Sequence, residues 1–375
     1  MTRRARARLR DKRWLLGGLL ATSLLAYLAF WPVPAAPVAW QPLDDLGHWG
    51  PHASNQKLAN LEHLDLGEDR GPEHVAIGPE GRLYAAVASG NLLRFAADGS
   101  GREVFANTGG RVLGFDFDAG GNLVAADAFR GLLSISPQGE TRVLADRYQG
   151  EPIRFADAVV VARDGRIFFT DASTRFDPAT RGGTFEASVL DILEQSATGR
   201  VFEYDPGKGS LRLVAKGLSF ANGIALTHDE QSLLVVETGQ YRVWRIDTAA
   251  NALDVRQPSP QAFALLDNLP GYPDNLMRGA EGRIWLGFAK PRSAVVDAMA
   301  PYPFLRKITL RLPRFLWPVP PAYGHVIAFN EAGHIVADLQ DPSGAYAETT
   351  AVTETPERLY IQSLHAETLG WLPNR

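Results

Sequence analysis

Pro79-Glu-Gly-Arg-Leu-Tyr-Ala-Ala-Val87 decides the fold, because the same pattern recurs along the chain. It returns as Ala119-Gly-Gly-Asn-Leu-Val-Ala-Ala-Asp127, Arg163-Asp-Gly-Arg-Ile-Phe-Phe-Thr-Asp171 and His228-Asp-Glu-Gln-Ser-Leu-Leu-Val-Val236. Two more copies are Ala280-Glu-Gly-Arg-Ile-Trp-Leu-Gly-Phe288 and Thr355-Pro-Glu-Arg-Leu-Tyr-Ile-Gln-Ser363. In each, a tight turn leads into an apolar strand, and a second strand follows: Asn91–Phe95, Gly131–Ile135, Gly199–Tyr204, Tyr241–Ile246, His325–Phe329 and Thr368–Leu372. Period-2 alternation between turn residues is the signal of a hairpin. A unit repeated at a spacing of about 40 residues or more indicates an array rather than one sheet. Six such units suit a closed ring, so the expected fold is all-β, a six-bladed β-propeller over residues 61–375. A β-sandwich would show no regular unit. The stretch Asn60–Leu66 is expected to supply a closing strand to the last blade.

Outward from the repeat, the N-terminus has a different character. Residues 1–13 carry Arg3, Arg4, Arg6, Arg8, Arg10, Lys12 and Arg13 against Asp11 alone. Trp14–Trp31 is uncharged and ends at Pro32. A helix of about 18–20 apolar residues spans a bilayer core, and basic flanks stay in the cytoplasm. The expectation is one transmembrane helix (14–31) between a cytoplasmic tail (1–13) and a linker (32–60), with the propeller extracytoplasmic. A cleaved signal peptide is the alternative, since Ala35-Ala36-Pro37-Val38-Ala39 offers small residues. The formal net charge of −4 includes that basic tail, so the remainder is acidic and nucleic acid is not an expected partner. With no cysteine in the chain, disulfides and thiolate-built metal sites are excluded.

The chemistry-bearing residues share one register. About six to eight residues before a turn, at the start of the preceding strand, stand Glu73, Asp157, Asn222 and the pair Asp274-Asn275. Equivalent positions of different blades face the same end of the axial channel, so three carboxylates and two amides are expected to converge. Asp and Asn also simply begin strands and turns, but one shared register in four blades asks for a common cause. Converging carboxylates repel and raise one another's pKa; a bound cation removes the conflict. Oxygen donors without histidine or sulfur favour Ca²⁺ over Mg²⁺, which demands a stricter octahedron.

The residues Gly71-Pro-Glu-His74, Arg111-Val-Leu-Gly114, Phe155–Ser173, Phe220-Ala-Asn-Gly223, Pro270-Gly-Tyr-Pro-Asp-Asn275 and Asp341-Pro-Ser-Gly344 resemble the strictosidine synthase-like family. They also resemble its adipocyte plasma membrane-associated branch, within the calcium-dependent propellers that include gluconolactonases, paraoxonases and phosphotriesterases. The resemblance implies that Glu73, Asp157, Asn222, Asp274 and Asn275 hold calcium and that Asp274 serves as base or nucleophile. It implies a calcium-dependent lactonase or arylesterase acting on a small ester or lactone. A non-catalytic, metal-stabilised propeller binding a ligand or partner is the other reading. The chain departs from the family at Asp157-Ala158, where Asn-Asp is usual. The added charge lowers the cation's Lewis acidity, and Ala158 removes a carboxylate used around a second ion. No glutamate can be placed for a strictosidine synthase-type condensation, and His74, His325 and His365 are not assigned as a histidine base. The insertion around 291–322, with Pro303–Pro321 mixing apolar and basic residues, is expected to be a lid, a membrane-resting strip or a packed helical insertion.

Overall fold

The structure, a computed structural model, describes the main chain of residues 3–374 and the side chains of residues 14–374. Six sheets form its blades, five of them four-stranded and antiparallel and the third with a fifth strand, Leu253–Asp254, added parallel at its outer edge; the expected hairpins appear at the expected turns. The innermost strands, in order, are His74–Ile77, Val112–Phe117, Ala156–Val161, Ala221–Leu226, Gly271–Arg278 and Thr349–Glu354. The last blade contains Thr349–Glu354, Arg358–Ser363 and Thr368–Pro373, and is completed by Glu62–Asp65, which pairs antiparallel with Thr368–Pro373. This is the closing strand expected from the sequence. First and last strands thereby share one sheet, and the ring has no free seam.

The blades pack through apolar side chains that alternate along each strand. Phe168, Val201, Leu233 and Val235 fill one interface, and Leu286, Phe288, Ile327 and Phe329 another. Towards the axis there is little room for side chains. A Cβ on Gly223 would lie 2.5 Å from the Asp274 carbonyl oxygen and 2.6 Å from the Leu276 nitrogen. One on Gly114 would lie 2.8 Å from the Ala158 Cα. These glycines set how closely the inner strands approach.

Threonines stitch neighbouring blades together. Thr170 Oγ1 donates to the Asn222 carbonyl at 2.8 Å, Thr238 Oγ1 to the Pro273 carbonyl at 2.7 Å, and Thr350 Oγ1 to the Glu73 carbonyl at 2.7 Å. Buried carbonyls that no strand partner reaches are thus satisfied. A second repeated device fixes each entry to the axis. Asp127, Asp171 and Glu237, at the ends of second strands, accept from the main-chain nitrogens of Arg111, Phe155 and Ser219.

Five helices accompany the ring: α1 (Arg3–Phe30), α2 (Pro178–Arg181), α3 (Thr184–Glu194), α4 (Ala294–Met299) and α5 (Pro303–Arg311). Both α2 and α3 interrupt the third blade, while α4 and α5 lie in the fifth-blade insertion that was expected. Along α1 the apolar side chains from Trp14 to Phe30 are largely exposed. Among the described residues no helix is long and apolar enough to cross a membrane, so the expected span over 14–31 is not supported. Helix α1 closes at Phe30, so its apolar stretch from Trp14 is about 25 Å long at 1.5 Å per residue, short of a bilayer core of roughly 30 Å. The expected basic tail lies at residues whose side chains fall outside the described ones.

Substituting Gly223→Ala is expected to destabilise the fold by about 1–3 kcal/mol, because main-chain atoms of the next blade cannot move aside as a flexible side chain would. Urea denaturation monitored by tryptophan fluorescence reads the loss; unchanged stability would contradict the close approach.

Candidate metal centre

Four inner strands, those of the third to the sixth blade, reach the axis through an irregularity that the sequence did not announce. Regular pairing breaks between Ala156 and Val159, between Ala221 and Ile224, between Pro273 and Leu276, and between Thr349 and Val352. Such β-bulges re-aim side chains and often flank functional sites. The residues inside them are Asp157-Ala158, Asn222-Gly223, Asp274-Asn275 and Thr350-Ala351. In a regular strand adjacent side chains point to opposite faces. In the bulge both Asp274 and Asn275 turn towards Glu73. Asn275 Nδ2 donates to the Glu73 carbonyl at 3.3 Å, and the Glu73 charge acts on Asp274.

Glu73, Asp157, Asn222, Asp274 and Asn275 are all buried and lie at or beside the starts of their blades' inner strands. Burial raises the Asp157 carboxyl well above the usual range, and the charges of Asp274, Glu73 and Asp171 push it further. Asp274 is raised in the same way, by burial and then by Glu73, with the Asn222 amide opposing. Glu73 is raised by burial despite Arg111, whose guanidinium contacts its carboxylate.

Arg111 was missed as a site residue in the sequence. It directly precedes the second blade's inner strand, the position Glu73 holds in the first, and reading that blade in the same register would have found it. Its Nη1 is buried without a hydrogen-bond partner, as are the amide oxygens Oδ1 of Asn222 and Asn275. An orphaned buried acceptor costs about 1–3 kcal/mol. Two of them beside three carboxylates form an oxygen cradle suited to a hard cation. With every group ionised, Arg111 offsets one carboxylate and leaves the charge that a divalent ion balances. The donor types and charge suit such an ion, although the carboxylate oxygens of Glu73, Asp157 and Asp274 do not all lie within 4.8 Å of one another and would have to draw together around it.

Above the cradle, Glu348 bonds Lys290 at 2.6 Å and contacts His365. Burial alone would raise the Glu348 carboxyl, yet hydrogen bonds from His365 and Lys290 outweigh it and hold it at about 2. The Glu348 contact raises His365, and the Glu73 charge adds to the effect. His74 turns aside as expected, with its ring 4.7 Å from that of Phe115. Burial pulls its pKa down to about 4, which leaves it neutral.

The mouth is roofed. Phe185 of α3 meets the His365 ring edge-on at 5.8 Å, and Arg314 reaches Glu186 at 3.0 Å. The fully buried Arg306 of α5 donates to the carbonyls of Leu193, Val38 and Ala300, joining α3, the linker and α4. The insertion is thus packed as a roof. Its hidden anchor is one of the basic residues of the mixed apolar and basic stretch Pro303–Pro321. The open surface hollows, around Tyr148 and around Phe263, lie on outer strands away from this mouth.

The sequence carries the family's marks in the same places. A strictosidine synthase-like N-terminal model matches residues 50–95, and a strictosidine synthase model matches residues 157–250. Strictosidine synthase-like protein 7 of Arabidopsis thaliana is 31% identical over 303 residues, covering 79% of this chain and 75% of the relative. The chain belongs to the strictosidine synthase-like family. Within the family it is also similar to the adipocyte plasma membrane-associated protein of Salmo salar, 29% identical over 94% of this chain and 87% of that one. Among solved structures, a gluconolactonase from Xanthomonas campestris superposes with a TM-score of 0.60 at 20% identity, over 91% of this chain and 98% of its own. The calcium-binding protein regucalcin of Agrobacterium tumefaciens gives 0.56 at 15%, over 83% and 93%. At such identities these two establish the propeller fold alone.

Asp157 and Asp274 bind protons more tightly in the fold than in the unfolded chain. The cation-free protein therefore loses stability as pH rises from the ordinary carboxylate range, about 4, through their raised values. Chelator-treated protein is expected to melt lower at pH 8 than at pH 5. Added Ca²⁺ should raise Tm more at pH 8, and Asp157→Asn should flatten the chelated profile. Differential scanning calorimetry tests all three; a pH-independent response to Ca²⁺ would contradict the electrostatic account.

Proposed function

We propose that this protein is a calcium-dependent hydrolase of the lactonase or arylesterase type. The observation that carries the reading is the cradle: two partnerless amide oxygens and three carboxylates, one answered by Arg111. Glu73, Asp157, Asn222, Asp274 and Asn275 would hold the ion. When bound, calcium supplies polarisation of a carbonyl oxygen and orientation of water.

The chain's own groups take the remaining parts. Asp274 is the assigned base or nucleophile, its proton affinity raised by burial and by the Glu73 charge. Arg111 Nη1, with no protein partner, is available to a developing oxyanion or a substrate carbonyl. The roof of α3, α4 and α5 excludes water and frames a small ester or lactone. Attachment to a bilayer through α1, with the propeller extracytoplasmic, belongs to the same proposal. Its supports are the exposed apolar run from Trp14 to Phe30, and the docking of the end of α1 by Arg311, which donates to the carbonyls of Trp31 and Leu28.

One observation favours a second reading, a metal-stabilised propeller that binds a ligand without turning it over. Arg111 engages the Glu73 carboxylate, and Asp157 adds a charge, so the cation would be a weaker Lewis acid.

Purified protein is expected to hydrolyse phenyl acetate or a member of a γ- and δ-lactone panel with Ca²⁺ and to stop with EGTA. Asp274→Asn should lower kcat/KM by roughly hundred-fold or more. Tight calcium binding with no turnover of any ester, lactone or phosphotriester would sink the hydrolase and leave the binding propeller.

A further inference from the structure

Remote from the oxygen cradle, the linker brings histidines onto the fifth blade. His48-Trp-Gly-Pro-His52 turns sharply at Gly50, whose φ is 60°, into a short 3-10 turn Gly50–His52. His52 Nδ1 lies 2.9 Å from Asp338 Oδ2, and His325 Nε2 lies 3.0 Å from the same oxygen. Their ligand atoms fall within 4.8 Å of one another, the one such His/Asp/Glu trio among the described residues. His48 stacks on Tyr323 at 4.7 Å with its ring 5.7 Å from that of His325, and its Nε2 is buried with no hydrogen-bond partner.

We propose that His48, His52, His325 and Asp338 form a second metal site, for a zinc-type ion, that latches the linker to the fifth blade. Three imidazoles and one carboxylate match the tetrahedral nitrogen-rich sets that bind zinc, whereas calcium takes oxygen donors. Asp338 is oriented for the task. Its Oδ1 accepts from Asn55 Nδ2 at 3.1 Å and Gln340 Nε2 at 2.5 Å, which turns Oδ2 towards the histidines. Such outer partners hold a ligating carboxylate in place.

Two histidines sharing one carboxylate oxygen would also satisfy a plain hydrogen-bond network. That network leaves His48 Nε2 unexplained. A tetrahedral ion with bonds of about 2.0–2.1 Å puts its ligand atoms roughly 3.3 Å apart. The His52–Asp338 and His325–Asp338 separations reach that spacing by movements of a few tenths of an ångström, whereas His48, outside the trio, has to turn in to complete the set. The ion would join residues 48–52 to residues 325–338, so binding would stabilise the fold by mass action.

The test uses the full chain without a polyhistidine tag, stripped with chelator and returned to saturating Ca²⁺. Isothermal titration with Zn²⁺ should show one tight equivalent, accompanied by a Tm rise of several degrees. Co²⁺ in its place should give the intense visible absorption of a tetrahedral site. His52→Ala and His325→Asn should each weaken Zn²⁺ binding at least ten-fold, while Glu73→Gln leaves it unchanged. His52 belongs to the linker, so its variant keeps the propeller folded and the titration interpretable. Absence of the tight equivalent, or full-affinity Zn²⁺ binding in His52→Ala, overturns the proposal.

Discussion

Six inner strands crowd one axis, and their carbonyls must be paired where no sheet neighbour can reach them. Leaving such a group unsatisfied in the interior costs about as much as several ordinary contacts return. The threonines at 170, 238 and 350 solve this by reaching across to the blade that follows around the ring. Because the carbonyls they hold belong to Asn222, Pro273 and Glu73, the same bonds fix the backbone from which the cradle residues project. Packing and chemistry are one arrangement here. The glycines at 114 and 223 keep the strands close enough for it to hold.

The cradle is expensive for the fold that contains it. Buried carboxylates repel, and Arg111 answers only one of them. A protein that retains such a cost usually uses it. The contrast with the fifth-blade histidines is instructive. There hydrogen bonds outweigh burial and hold the carboxylate down, whereas around the axis burial drives each carboxyl upward.

Much of this was legible in the sequence, and the reasons are local. Turns such as Glu80-Gly81-Arg82 and Asp164-Gly165-Arg166 fix hairpins through glycine's freedom at positive φ, so strand positions followed within a residue or two. The closing strand at Glu62–Asp65 and the placing of Glu73, Asp157, Asn222, Asp274 and Asn275 at blade starts followed from counting. The bulges did not, because they arise from close packing between blades rather than from any residue pattern. Arg111 escaped because only acids and amides were sought. Arg306 and the His48–His52 turn escaped because their partners lie far away in the chain. The span expected at 14–31 rested on an uncharged apolar run behind a basic flank, whereas the helix closes at Phe30.

The strand that seals the ring has a consequence for how the chain is made. Glu62–Asp65 leaves the ribosome first among the strands, and its partner Thr368–Pro373 leaves last. For most of translation the nascent propeller is an open arc with one exposed edge at each end. Every residue of the cradle has emerged by then, since the last of them is Asn275. An ion captured at that stage would hold five blades in register before the sixth can be finished. Calcium available during synthesis would then serve as a chaperone for the final closure, whatever the finished protein goes on to do.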